Sequence, residues 1–283
     1  MSNGWTNGLV DHYENSQEIA ELPNELALAF YEKCDGRLIM GGGLGNNGVL
    51  NKVVEYRDGK WEENHLPTLN TSRKLAAACY IKNTLVVAGG RDNTDRLDSI
   101  EIMENITKDN TPTEWKPCLT NLPDRVEGHT LSTLKGKVYL IGGNNGGRNH
   151  ALFSRVWKAD INFKHGKFDL DFQKMDVPMQ IPRWNHFSLC VQDKIYVWGG
   201  EKDGRETSQV EVFDGEEWTL GPKFDVRLDR EIGDGKVLVD NNIILITSKN
   251  YGIIIYDPIK SRIKYLKDKR MKDKRNQYVI FSI

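Results

Sequence analysis

Four cysteines in 283 residues, Cys34, Cys79, Cys118 and Cys190, are too few and too widely spaced for a disulfide-stapled domain. None forms the C-x-x-C pair of a zinc or redox site. Cys79 in LAAACY and Cys190 in FSLCV stand in apolar runs, where a reduced cysteine serves as a small core residue. The six histidines, His12, His65, His129, His150, His165 and His186, are dispersed singly, so neither a metal site nor a cofactor is expected. An excess of one charge is missing too. The 39 basic and 40 acidic residues leave a net charge of −1, which argues against a dedicated nucleic-acid or membrane binder. No apolar run is long enough to span a bilayer. Residues 1–21 carry Asp11, Glu14, Glu18 and Glu21 without the apolar stretch of a secretory signal, so a cytoplasmic setting is expected. No G-x-S-x-G occurs, and no Ser, His and acid trio is suggested by spacing, so no catalytic residue is assigned. The glycine run at Gly41–Gly48 follows an apolar strand instead of opening a helix, which removes the phosphate-cradling reading.

What is present is a repeat. The segments LIMGGG, LVVAGG, VYLIGG and IYVWGG end in glycine doublets at Gly42-Gly43, Gly89-Gly90, Gly142-Gly143 and Gly199-Gly200. The doublets recur about every 50 residues, and a period of that length marks propeller blades or another repeat array. A fifth copy, IILITS, keeps the strand one period later but not the glycines. Each strand follows a short polar turn, Asp35-Gly36, Lys82-Asn83, Lys135-Gly136, Gln192-Asp193 or Asn241-Asn242, the residue types of tight hairpins. After each of these five strands come a loop, a third strand (VVEYRDG, SIEIMEN, RVWKADI, QVEVFDG, GIIIYDP) and a fourth element (KWEENHLP, EWKPCLTNLP, DFQKMDVP, EWTLGP, IKYLK). There Trp61, Trp115, Phe172 and Trp218 precede Pro67, Pro123, Pro178 and Pro222. Four strands make one twisted sheet that cannot bury both faces alone, so such sheets stack radially with the aromatic filling the wedge.

The doublet, the following Tyr and the spaced Trp resemble the Kelch repeat, over nearly the whole chain. Departures are Trp157 with no Tyr in the third copy, the lost doublet and Trp in the fifth, and a longer loop around residues 106–113. The resemblance implies an all-β Kelch-type β-propeller, one domain over residues 1–283, of mainly four-stranded antiparallel blades. Blades are expected at about 24–67, 73–123, 126–178, 183–222 and 230–267. A closing blade would pair residues 276–283 with 9–23, because LVDHYENSQEIAELP repeats a third and fourth strand and NQYVIFSI a first. Six blades are expected, with five as the alternative. The gene products it resembles most are Kelch-like adaptors, but their BTB and BACK domains have no counterpart in this sequence, so only the binding module transfers.

Inter-blade loops gather at the ends of a propeller channel, so residues recurring there converge on one surface. Arg73, Arg125, Arg183 and Arg227 precede first strands, and Arg91, Asn144, Asn145 and Arg148 follow doublets. Arginine forks suit carboxylates. The expected function is a non-catalytic scaffold that holds another protein, by an acidic peptide segment, on this face. Adaptors of the family use matching positions for the same purpose. The competing reading is that the arginines pair with nearby carboxylates such as Asp124. Two alternatives remain. One is a Kelch-fold enzyme acting on a sugar or other small molecule in the central pocket. The other is contact with an anionic surface or nucleic acid through residues 260–275, nine basic against two acidic, for which a solvated loop is the default.

Overall fold

The computed structural model describes residues 27–58, 60–107, 109–147 and 154–224, and four further strands between 236 and 266. Among them are five antiparallel sheets whose main strands follow one another in chain order, arranged as a β-propeller. The first has strands Phe30–Cys34, Arg37–Gly41, Val53–Arg57 and Lys60–Glu62. The second has Ala77–Ile81, Thr84–Ala88, Ile100–Met103 and Lys116–Pro117. The third has Thr130–Leu134, Lys137–Ile141, Val156–Ala159 and Gln173–Lys174, and the fourth Trp184–Val191, Lys194–Lys202, Gln209–Phe213 and Trp218–Lys223. The fifth has Lys236–Val239, Ile243–Ser248, Gly252–Asp257 and Arg262–Leu266. The closing segments 9–23 and 276–283 lie outside the described residues. So does most of 260–275, within which Arg262–Leu266 is a blade strand rather than a loop.

The hairpin turns form where the polar dipeptides stand. Asp35-Gly36, Lys82-Asn83, Lys135-Gly136 and Gln192-Asp193 all have positive φ at both central residues, the twist that joins two strands tightly. Second strands such as Arg37–Gly41 and Thr84–Ala88 are buried throughout, because blades cover both of their faces. The core is therefore a series of wedges. Trp115 packs with Phe30, Val53 and Leu69 of one blade and Leu85 and Met103 of the next. Phe172 does the same between the second and third blades, and Trp218 between the third and fourth. Trp61 closes the outer side of the first blade with Leu38, Met40 and Val54, its ring edge-on to Tyr56 at 5.3 Å. Tyr196, Trp198, Phe224 and Tyr256 fill the fourth-to-fifth wedge.

First strands face the axis and pack on one another in chain order. At the start of the first four stands a residue with left-handed backbone: Leu28 (φ 60°), Leu75 (54°), Gly128 (62°) and, as the second residue of its strand, Asn185 (52°). Leu75 N–H donates to the Leu28 carbonyl at 2.9 Å, Gly128 to Leu75 at 3.0 Å and Asn185 to Gly128 at 2.7 Å. The second, third and fourth blades are thus each stitched to the preceding one by this repeated backbone bond at the channel mouth. The cost of a left-handed leucine, about 1–2 kcal/mol, is tolerated because the position supplies this bond.

Candidate functional site

The loops that follow the doublets and those that lead into first strands meet at one end of the channel. Short bridges join them: Ala27 to Leu44, Lys74 to Arg91, Glu127 to Asn144, and Trp184 to Glu201. The doublets allow this approach. A Cβ at Gly89 would lie 2.7 Å from the Val126 carbonyl and 2.6 Å from the His129 ring, and Gly142 would meet the Arg183 carbonyl at 2.7 Å. All eight doublet glycines have positive φ, which glycine adopts without strain.

Two blades share a polar module underneath this end. Arg73 donates to the carbonyls of Gly89 (2.9 Å) and Ser99 (3.1 Å) and to Glu101 Oε1 (2.7 Å). Arg183 donates to the carbonyls of Gly199 (3.0 Å) and Gln209 (3.1 Å) and to Glu211 Oε2 (2.5 Å). The glutamates also accept backbone N–H groups of the incoming loops, Asn70 and Thr71 on Glu101, Gln180 and Ile181 on Glu211. Asn70 and Gln180 side chains donate to the Trp115 and Trp218 carbonyls. The three acceptors of each arginine stand at the same sequence separations in both copies, 16 to the glycine, 26 to the second carbonyl and 28 to the glutamate. Both guanidinium groups are 0% exposed, and burial pulls them below their ordinary pKa against the opposing pull of their glutamates.

A scan against family models places the Kelch motif on residues 72–103, which run from the entry to Arg73 through the Gly89-Gly90 doublet to the end of the Glu101 strand. The chain is a Kelch-repeat β-propeller. It is also similar to a Caenorhabditis elegans protein, tag-53, with 27% identity over 124 residues. That match covers 42% of this chain and 9% of the relative's length.

Within the Kelch propeller, the recurring arginines part company. The repeat pattern alone puts Arg73 and Arg183 against a partner, and their burial corrects that: every charge they carry is spent on their own blade. The carboxylates they use are Glu101 and Glu211 rather than the neighbouring aspartates. Arg125 does not share their repeat position, since it is Val126 whose carbonyl takes the N–H of Gly90, as the Arg73 carbonyl takes that of Gly43. Arg148 and Arg227 lie outside the described residues. Arg91, Arg125, Asn144 and Asn145 remain on the loop face.

These four surround the junction of the second and third blades. Arg125 pairs with Asp95 at 2.6 Å, both 60% exposed. Arg91 is partly exposed, 3.9 Å from buried Glu127, whose charge is already met by Arg96 at 2.7 Å. Arg96 lies against Gly146 of the next loop. Below them the third blade lacks the polar module. Val126 stands for the arginine, Trp157 for the glutamate, and Pro123, with no N–H to satisfy, for Asn70 or Gln180. A cavity of about 10 Å³ remains, lined by Pro123, Asp124, Val126, Leu140, Asn145 and Trp157. Arg155 lies 6.0 Å from the Trp157 ring centre and 3.4 Å from Asp124. Sequence reasoning misses the glutamates, Gln180 and the left-handed residues, although the Arg-to-Glu separation that recurs in two blades is a signal that self-comparison could find.

Among the described residues no cluster of His, Cys, Asp and Glu could hold a metal, and no helix is long and apolar enough to cross a membrane. The two buried histidines are packing groups. His129 and His186 occupy one repeat position, each against the glycine of the preceding blade, Gly89 and Gly142. His186 Nε2 meets Thr130 Oγ1 at 3.1 Å. At the place of Thr130 the second blade has Ala77, so neither His129 ring nitrogen makes a hydrogen bond of good geometry. Burial lowers its pKa to about 3, slightly opposed by the nearby Ala88 carbonyl.

Proposed function

We propose that this propeller is a non-catalytic interaction module that holds an acidic segment of another protein on its loop face, at the shoulder of the second and third blades. Kelch repeats generally serve protein interaction, and the exposed charges of the shoulder support this location for it. The observation that carries the reading is the exposed Arg125–Asp95 pair beside partly free Arg91. An exposed pair contributes about 0–1 kcal/mol, so an incoming carboxylate can replace Asp95 at little cost. A carboxylate reaching Arg73 or Arg183 would instead have to dismantle a blade. Asn144 and Asn145 add amide groups to the rim.

Selection from a displayed library of random peptides tests this. Enriched sequences should be rich in Asp and Glu, bind more weakly as salt rises, and lose binding to an Arg91→Glu, Arg125→Glu variant that melts like the parent. Enrichment of neutral or basic peptides, or binding indifferent to those two charges, would overturn the assignment.

A further inference from the structure

The opposite end of the channel carries an unused feature. In the second blade the connection from third to fourth strand is residues 104–115, whereas the first blade uses residues 58–59 and the fourth 214–217. The long connection is pinned at its start: Ile106 is buried, its N–H bonds the Asn83 carbonyl at 2.9 Å, and its own carbonyl accepts from Tyr80 at 2.7 Å. Arg37 of the first blade reaches over to the carbonyls of Thr107 (3.0 Å) and Asn110 (2.6 Å) while gripping Glu55 with two bonds. Past these anchors the chain reads Thr111-Pro112-Thr113-Glu114, with Thr113 and Glu114 exposed and Thr111 half-buried. Of the nine prolines in the sequence, only Pro112 follows a serine or threonine.

The Thr111 hydroxyl lies 3.2 Å from Nε2 of His65, and Arg57 Nη1 lies 3.0 Å from the same nitrogen. A guanidinium only donates, so Nε2 is the acceptor, and Arg57 has donors to spare. Glu55, 3.6 Å from that nitrogen, is neutralised by Arg37. The hydroxyl thus points at the Arg57–His65 pair on the neighbouring blade, whose nearby carboxylates are each paired, Glu55 with Arg37 and Asp58 with Arg57 Nε at 3.5 Å. We propose that Thr111 is a phosphorylation site for a proline-directed protein kinase, and that the phosphate docks on Arg57 and His65, tying the second blade's long loop to the first blade. In the transfer, Thr111 Oγ1 forms a bond to the γ-phosphorus of a nucleoside triphosphate while the bond to the bridging oxygen breaks. The nucleoside diphosphate leaves with that electron pair, and the hydroxyl proton passes to the kinase's base. A phosphate brings close to two negative charges and three acceptors, which suit the Arg57 guanidinium and a ring N–H of His65. This site is at the end away from the loop face and does not rest on the reading given above.

The test uses the whole chain and a proline-directed kinase that phosphorylates a synthetic peptide spanning residues 106–116. Mass spectrometry should find one phosphate on the folded chain, at Thr111, absent from Thr111→Ala. The phosphorus resonance of the modified chain should titrate about half a unit below the ordinary second pKa near 6. In Arg57→Gln, an exposed position, the midpoint should return to that of the peptide. Failure to modify Thr111 in the folded chain while the peptide is modified would overturn the site, and equal midpoints with and without Arg57 would overturn the docking.

Discussion

Arg183→Met tests what the buried arginines are for. The substitution keeps the unbranched stem but removes the bonds to the carbonyls of Gly199 and Gln209 and leaves the Glu211 carboxylate, wholly buried, without a counter-charge. Breaking one side of a buried pair typically costs about 3–5 kcal/mol. The double variant Arg183→Met, Glu211→Leu removes both charges, so the uncompensated charge disappears. What is left is two partly buried N–H groups, those of Gln180 and Ile181, that have lost their acceptor and the Gly199 and Gln209 carbonyls that have lost their donor, at up to about 1–3 kcal/mol each. Adding Gln180→Pro, the residue that the third blade carries at this place, removes one of those donors. Stability should therefore fall most for the single variant and recover in part in the double, with a coupling energy of about 2 kcal/mol or more between positions 183 and 211; the triple also loses the Gln180 side-chain bond to the Trp218 carbonyl, so its gain over the double is the smaller.

Denaturant unfolding of these four proteins and of Glu211→Leu, which completes the cycle, followed by tryptophan fluorescence and by far-ultraviolet circular dichroism, supplies the free energies if both signals change together. A loss under about 1 kcal/mol for Arg183→Met would mean that the guanidinium is solvated, and additive effects at 183 and 211 would mean that the two groups do not share a site. Either result would return Arg183 to the partner contacts.

Two further predictions concern the buried histidines. His129 has an ordinary unfolded pKa near 6.5 and a folded value of about 3, so the unfolded chain binds the extra proton and stability is lost as pH falls from about 6.5 towards 3. At pH 5 the loss is about 2 kcal/mol; it should vanish in His129→Phe, and an identical acid midpoint with and without the substitution would sink the assignment. Ala77→Ser places a hydroxyl where Thr130 stands against His186, and should raise stability by about 0.5–1.5 kcal/mol, measured by denaturant midpoint; no gain in the parent, or an equal gain in a His129→Phe background, would refute the pairing.

The parts of the fold that are legible in the sequence are those that a local residue type dictates. Glycine doublets, two-residue turns and wedge aromatics each mark a position that few residues can occupy, so LVVAGG or Lys135-Gly136 can be placed without neighbours. The fate of the arginines is not local. Arg73 and Arg125 both precede a first strand after a proline, yet one is buried and the other 60% exposed. The difference lies in whether a glutamate stands on the third strand to receive the guanidinium, as Glu101 does for Arg73, and in a one-residue offset that only strand register reveals. The left-handed stitch is less visible still. Leucine carries no preference for positive φ, so Leu28 and Leu75 look like ordinary apolar residues until the backbone bond between them is seen.

The break in the repeat is itself informative about where function can sit. Pro123, Val126 and Trp157 replace the whole polar module together: a proline that has no N–H, an aliphatic group where a guanidinium was, and an indole over the place of the carboxylate. Losing the arginine or the glutamate alone would leave a buried charge unmatched, whereas losing both leaves neither, and the proline takes away an N–H that the carboxylate would have accepted. With that apolar solution below, the arginine of this loop is released from the blade and stands one residue earlier, at the surface, as Arg125. Blades that keep the module spend their arginine on stability. The third blade, stabilised by its tryptophan instead, is the described one that presents its arginine to solvent, which is why a partner carboxylate is placed at its shoulder.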